Sequence, residues 1–184
     1  QALGAETTGS NNVAVGYQAL KSLNNEYQAY NTAVGSDVGK NITTGVYNTI
    51  VGGLAGDALT TGSYNIAIGK EALSTEDAHG RNVAIGYRAL TAQDAGENAY
   101  NIAIGWDAGR SITTGIYNTL VGGFSGDALT DGDNNTSLGY ASLSSETRGD
   151  RNVAIGTYAL FNQNNTSDTD IYNIAIGHVA GYSI

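Results

Sequence analysis

One short motif, Asn-x-x-(Val/Ile/Leu)-Gly, occurs ten times, and it limits what this chain can fold into more than any other feature. Its asparagines are Asn12, Asn31, Asn48, Asn65, Asn82, Asn101, Asn118, Asn135, Asn152 and Asn173. Its glycines are Gly16, Gly35, Gly52, Gly69, Gly86, Gly105, Gly122, Gly139, Gly156 and Gly177. The asparagines are spaced by 19, 17, 17, 17, 19, 17, 17, 17 and 21 residues. A unit of 17 residues is too short to bury a core alone, so the units must stack. It is also too short for two helices, and its Gly and Asn content would destabilise them. What remains is an all-β parallel solenoid or β-roll of about ten coils of 17–21 residues. Strands ~4.8 Å apart would make it a rod on the order of 50 Å long.

A longer period overlies the short one. Asn12, Asn82 and Asn152 are 70 residues apart, and Gly45–Gly53 returns almost unchanged as Gly115–Gly123. Duplication of a four-unit block explains both. The whole chain, 1–184, reads as one repeat array that starts and stops within a unit, which points to a longer natural polypeptide.

Within a unit, the three residues after the asparagine are strand formers, with Ala frequent at the centre. The glycine marks a turn. A second short strand is expected next, ending in Ala-Leu at Ala19-Leu20, Ala72-Leu73, Ala89-Leu90 and Ala159-Leu160, and then a polar loop such as Thr43-Thr44-Gly45. None of the 30 positions between motif Asn and motif Gly is charged. A strand with one wet face would carry charge somewhere, so both faces read as buried: one inside the coil, the other against a further copy of the chain. Asp37, Glu71, Arg88 and Asp107 lie beyond the strand and are expected to face water. The aligned asparagines read as a structural ladder of stacked amides.

These residues carry a resemblance. Asn-x-Ala-Ile-Gly-x-x-Ala-Leu with Thr-Thr-Gly loops resembles the head repeats of trimeric autotransporter adhesins (the YadA-like head β-roll), a repeat type also found in phage tail fibres. The resemblance spans essentially the whole chain. It implies a left-handed roll, a homotrimer of side-by-side chains, and attachment to a host surface through a glycan or protein receptor. The implied location is extracellular, on a bacterial surface or a virion tail fibre. It implies no catalytic residues, and the unit here is longer than the adhesin unit.

The rest of the sequence adds little chemistry. A net charge of −9 and a pI near 4.4 disfavour nucleic acid and anionic membranes as partners. No apolar run is long enough to cross a membrane as a helix, so no direct insertion is expected. With no Cys and only His79 and His178, nucleophilic catalysis has little support, and the chain reads as non-enzymatic, without cofactor or metal. The hexapeptide rhythm of left-handed β-helix acyltransferases fails after the first strand, and the flat file of Thr that an ice-binding solenoid needs is missing. Asp131-Gly132-Asp133-Asn134-Asn135 reads as a turn rather than a calcium loop. Arg148-Gly149-Asp150 spells the integrin tripeptide in what reads as an exposed loop. Two aromatic groups stand out. Tyr30, Tyr47, Tyr64, Tyr100, Tyr117 and Tyr172 precede the motif Asn, and Tyr17, Tyr87, Trp106 and Tyr140 follow the motif Gly. Stacked on successive coils they would form stripes, either as ladder packing or as a platform for a sugar or a protein.

Overall fold

The computed structural model describes every residue except Thr8, Thr166, Asp168 and Ile184. The chain is a parallel β-solenoid without a helix among the described residues. The strands are β1 (Val13–Val15), β2 (Thr32–Val34), β3 (Thr49–Val51), β4 (Ile66–Ile68), β5 (Val83–Ile85), β6 (Ile102–Ile104), β7 (Thr119–Val121), β8 (Thr136–Leu138), β9 (Gly149–Asp150), β10 (Val153–Ile155), β11 (Thr169–Asp170) and β12 (Ile174–Ile176). Ten of them stack as β1-β2-β3-β4-β5-β6-β7-β8-β10-β12, all parallel. Register never slips: Val13, Ala14 and Val15 oppose Thr32, Ala33 and Val34, although 19 residues separate those coils. The extra residues are taken up in the loops away from this sheet, where β11 of the longest coil pairs with β9 of the coil before it as a small second sheet.

The segment expected to be a second strand is instead a pair of tight turns. The amide of Ala55 donates to Gly52 O (3.3 Å), and that of Leu59 donates to Gly56 O (3.2 Å). An extended strand is impossible there because the second and fourth residues after each motif glycine adopt left-handed φ, as at Gln18 (54°) and Leu20 (49°). The residue before each motif Asn is left-handed too, as at Tyr47 (57°). Each costs a non-glycine residue about 1–2 kcal/mol. Inter-coil backbone bonds offset that cost: Leu20 N–H donates to Val38 O (3.1 Å), and Tyr47 N–H to Ala29 O (2.8 Å).

The core is a narrow column. It is lined by the central strand residues Ala33, Ile50, Ala67, Ala84, Ala103, Leu120 and Ala154, all fully buried. The turns close it by two alternative means. Some coils place a left-handed Leu inside (Leu20, Leu73, Leu90, Leu143, Leu160), and others place Gly at the same turn position (Gly39, Gly56, Gly109, Gly126). Where Gly stands, the residue three further on is a buried Ile42, Leu59, Ile112 or Leu129. A Cβ on Gly56 would lie 2.9 Å from Leu59 Cδ1 and 3.3 Å from Ile50 Cδ1, so Leu59 and the larger strand residue Ile50 occupy the space a Leu would take. Where Leu stands, that third residue is Leu23, Glu76, Gln93, Glu146 or Gln163, and all four polar members are buried.

Candidate interaction surface

The motif asparagines stitch the coils together. Each Oδ1 accepts the backbone N–H of the asparagine one coil on, in an unbroken series from Asn12–Asn31 (2.9 Å) to Asn152–Asn173 (3.3 Å). Most Nδ2 groups donate sideways to a loop carbonyl of the next coil, as Asn48 does to Gly62 O (2.9 Å) and Asn118 to Gly132 O (2.8 Å). The ladder therefore runs mainly from side chain to backbone, with one amide-to-amide rung where Asn152 Nδ2 donates to Asn135 Oδ1 (3.0 Å). Asn101 and Asn173 also use the buried glutamines, donating to Gln93 (2.5 Å) and Gln163 (2.7 Å).

Because the asparagine and the central strand residue point inward, the second and fourth motif positions point outward. Val13, Val15, Val34, Ile66, Ile102, Ile104, Leu138, Ile174 and Ile176 are all exposed on the same sheet face, with Ile174 reaching 72%. Two parallel charge-free files thus cover the outside of the ten-stranded sheet, the fourth-position one wholly aliphatic and the second-position one interrupted by Thr32, Thr49, Thr119 and Thr136.

Aromatic side chains border these files. Tyr30, Tyr47 and Tyr64 stack on one another with centroids 5.5 and 5.1 Å apart. Arg81 fills the next rung, its guanidinium 5.1 Å from the Tyr64 ring and 5.5 Å from that of Tyr100. Tyr100 stacks on Tyr117 (5.5 Å), and Arg151 lies 5.7 Å from the Tyr172 ring. The ring faces are spent on each other, so the file presents mainly edges and hydroxyls outward. On the other border Trp106 is 57% exposed and tilts against Tyr87 at 4.4 Å. An open groove of about 510 Å³ lies beside the first rungs, lined by Ser10, Glu26, Tyr27, Gln28, Tyr30 and Tyr47. Tyr27 there is 76% exposed and was not singled out in the sequence, because it belongs to a 19-residue coil and breaks the repeat.

Several sequence expectations change. Asp107 is buried rather than wet: it lies in a file of alternating charges, 4.0 Å from Arg88 and 3.7 Å from Arg110, and Arg88 is also 4.0 Å from Glu71. Asp37, Glu71 and Arg88 are half-buried. Arg148-Gly149-Asp150 is not a free loop, since Gly149 and Asp150 form β9 and Asp150 Oδ1 accepts the N–H of Asp133 (2.8 Å). The carboxylates of the Asp131–Asn135 turn are engaged as well, Asp133 with the N–H of Ile116 (2.7 Å) and Asp131 with Arg148 (3.5 Å).

The buried glutamates were also missed as individual residues, although the 70-residue period places Glu6, Glu76 and Glu146 in phase. Glu146 Oε1 accepts the N–H groups of Gly149 (2.8 Å) and Asn165 (2.9 Å), and its Oε2 accepts from the Gln163 (2.7 Å) and Asn165 (2.7 Å) side chains. Burial would raise its pKa, but these donations outweigh burial and hold the carboxyl below its ordinary value. Glu76 has one such bond, from the N–H of His79 (3.0 Å), and burial pushes its carboxyl above the ordinary value.

Comparison with family models, with curated proteins and with solved structures finds no match to this chain. No helix among the described residues is long and apolar enough to cross a membrane.

Proposed function

We propose that this chain is a non-catalytic segment of a surface fibre or adhesin, built from copies packed through the aliphatic face of the ten-stranded sheet. The observation that carries the reading is the pair of charge-free outer files along the stack, aliphatic throughout at the fourth motif position and Val, Ile or Thr at the second. Exposed aliphatic side chains gathered on one sheet face, rather than scattered singly, mark an interaction surface. Three copies, as the adhesin resemblance implies, would close their faces around one axis, leaving the polar loops outside. Such a rod would act extracellularly, on a bacterial surface or a virion tail fibre, and would space or mediate attachment to a host glycan or protein.

The receptor contact belongs at the groove beside Tyr27 and Tyr30, where a polar rim of Ser10, Glu26 and Gln28 meets an exposed ring. A second reading, a filament without a receptor, is favoured by the stacking within the tyrosine file, which leaves few ring faces for a sugar. Light scattering at micromolar dilution tests assembly: a mass near three chains supports the fibre reading, and a stable single chain removes it. A glycan array separates the two roles. Binding that Tyr27→Ala abolishes supports the receptor groove, and a blank array leaves the bare filament.

A further inference from the structure

We propose that the loop of residues 76–79 binds a divalent first-row transition ion of the zinc class, held by Glu76, Asp77 and His79. One ligand atom from each of the three residues lies within 4.8 Å of the others, the only such trio found among the described residues. Glu76 is fully buried, and its Oε2 has no hydrogen-bond partner. His79 Nδ1 is buried and without a hydrogen-bond partner as well, 3.7 Å from Glu76 Oε1. Two unsatisfied, water-excluded polar atoms within one small loop are costly unless a further group satisfies them. Asp77 is exposed, so an ion has a way in and water can complete its shell.

The chain contains its own comparison. In the phase set by the 70-residue period, Glu6-Thr7-Thr8-Gly9 and Glu146-Thr147-Arg148-Gly149 correspond to Glu76-Asp77-Ala78-His79. All three coils keep the glutamate, and only the middle one has Asp for Thr and His for Gly. At Glu146, Gln163 and Asn165 saturate the carboxylate. At Glu76, Gln93 turns away to Asn101 and Thr113, leaving the carboxylate open on the side of the imidazole. An imidazole nitrogen with two carboxylates suits zinc and its neighbours, whereas calcium and magnesium prefer oxygen alone. A bound cation would also relieve the burial that now disfavours ionised Glu76. The site is independent of how copies of the chain assemble.

The test is calorimetric titration of the chelator-stripped chain with Zn²⁺, beside His79→Gly, Asp77→Thr and His178→Ser. The first two install the residues of the sister coils, so the coil is expected to fold. One ion per chain is expected, with affinity reduced at least about tenfold by either sister substitution and unchanged by His178→Ser. Absence of binding, or equal affinity in His79→Gly, overturns the proposal. In the His178→Ser chain His79 is the sole histidine, and its imidazole resonances should move on addition of Zn²⁺. Resonances that stay in place overturn the proposal even if a variant fails to fold.

Discussion

Most motif asparagines do two jobs, accepting from the next asparagine's N–H and donating to a loop carbonyl, and removal of one should show both. Asn118 accepts the N–H of Asn135 and donates to Gly132 O, and all of these atoms are out of reach of water. Asn118→Ala leaves a buried donor and a buried acceptor unpaired, and should cost about 2–5 kcal/mol in denaturant unfolding. A loss under about 0.5 kcal/mol would mean that the ladder is ornamental. The motif glycine is fixed by space as well as by φ: at Gly105 φ is 142°, and a Cβ would sit 2.4 Å from Gly122 O. Gly105→Ala should therefore destabilise far more than Gly96→Ala, where φ is 71° and nothing lies within 4 Å of the added carbon. Equal losses from the two would refute the close-approach argument. The buried glutamates predict opposite pH behaviour. Glu76 has a raised pKa in the fold, so its stabilising neutral form is fully present below the ordinary value of 4.5 and is lost as pH rises through the folded value. With chelator present, Glu76→Gln should raise the melting temperature at pH 7, and the gain should vanish below about pH 4.5. Glu146, held low, contributes stability that is present above 4.5 and is lost as pH falls through its depressed value. Glu146→Gln should accordingly lower the melting temperature at pH 7. Parallel melting curves for the two variants would contradict the different satisfaction of the two carboxylates.

At the scale of the element, the strand was legible and the turn was not. Strand identity, direction and register all follow from a hydrophobic triplet between Asn and Gly at a fixed repeat. The Ala-Leu segment reads as a strand because its composition is apolar, yet Leu20, Leu73 and Leu90 are left-handed turn residues aimed into the core. Nothing in leucine's own preferences signals that conformation. The signal lay in the replacement of the same position by glycine at Gly39, Gly56, Gly109 and Gly126, which is the residue of choice for a left-handed turn. The exchange also carried packing information, because the residue three further on changes with it. Gly56→Leu alone should overpack the core against Leu59 and Ile50. Adding Leu59→Gln recreates the Leu90–Gln93 arrangement and should restore part of the loss. A double-mutant cycle is expected to give a coupling of about 0.5–3 kcal/mol in favour of the pair. Strict additivity would show that the two positions do not share a space.

At the scale of the molecule, the absence of charge at 30 strand positions says that neither strand face is built for water, but period two cannot say which face turns inward. The choice is made by the asparagine: its side chain must reach the N–H of the next coil, so the first and third motif positions face in and the uncharged second (Val, Ile or Thr) and aliphatic fourth face out. Nine steps of ~4.8 Å then extend the two outer files over ~43 Å. Under the proposed reading, covering that face drives association of copies whose coils are already held by their own buried column and inter-coil backbone bonds. The prediction is therefore specific to the outer face. Ile102 and Ile104 project outward from the middle of the files, so Ile102→Asp with Ile104→Asp should leave the coil intact while placing carboxylates on the face proposed to join copies. Light scattering should show the assembled mass falling to that of a single chain of 18.9 kDa, with the β-type circular dichroism retained. A matched change on the loop side, Thr114→Asp, should leave the mass unaltered. If the doubly substituted outer face still assembles, association runs through the loops or the aromatic borders, and the aliphatic files must meet a partner other than this chain.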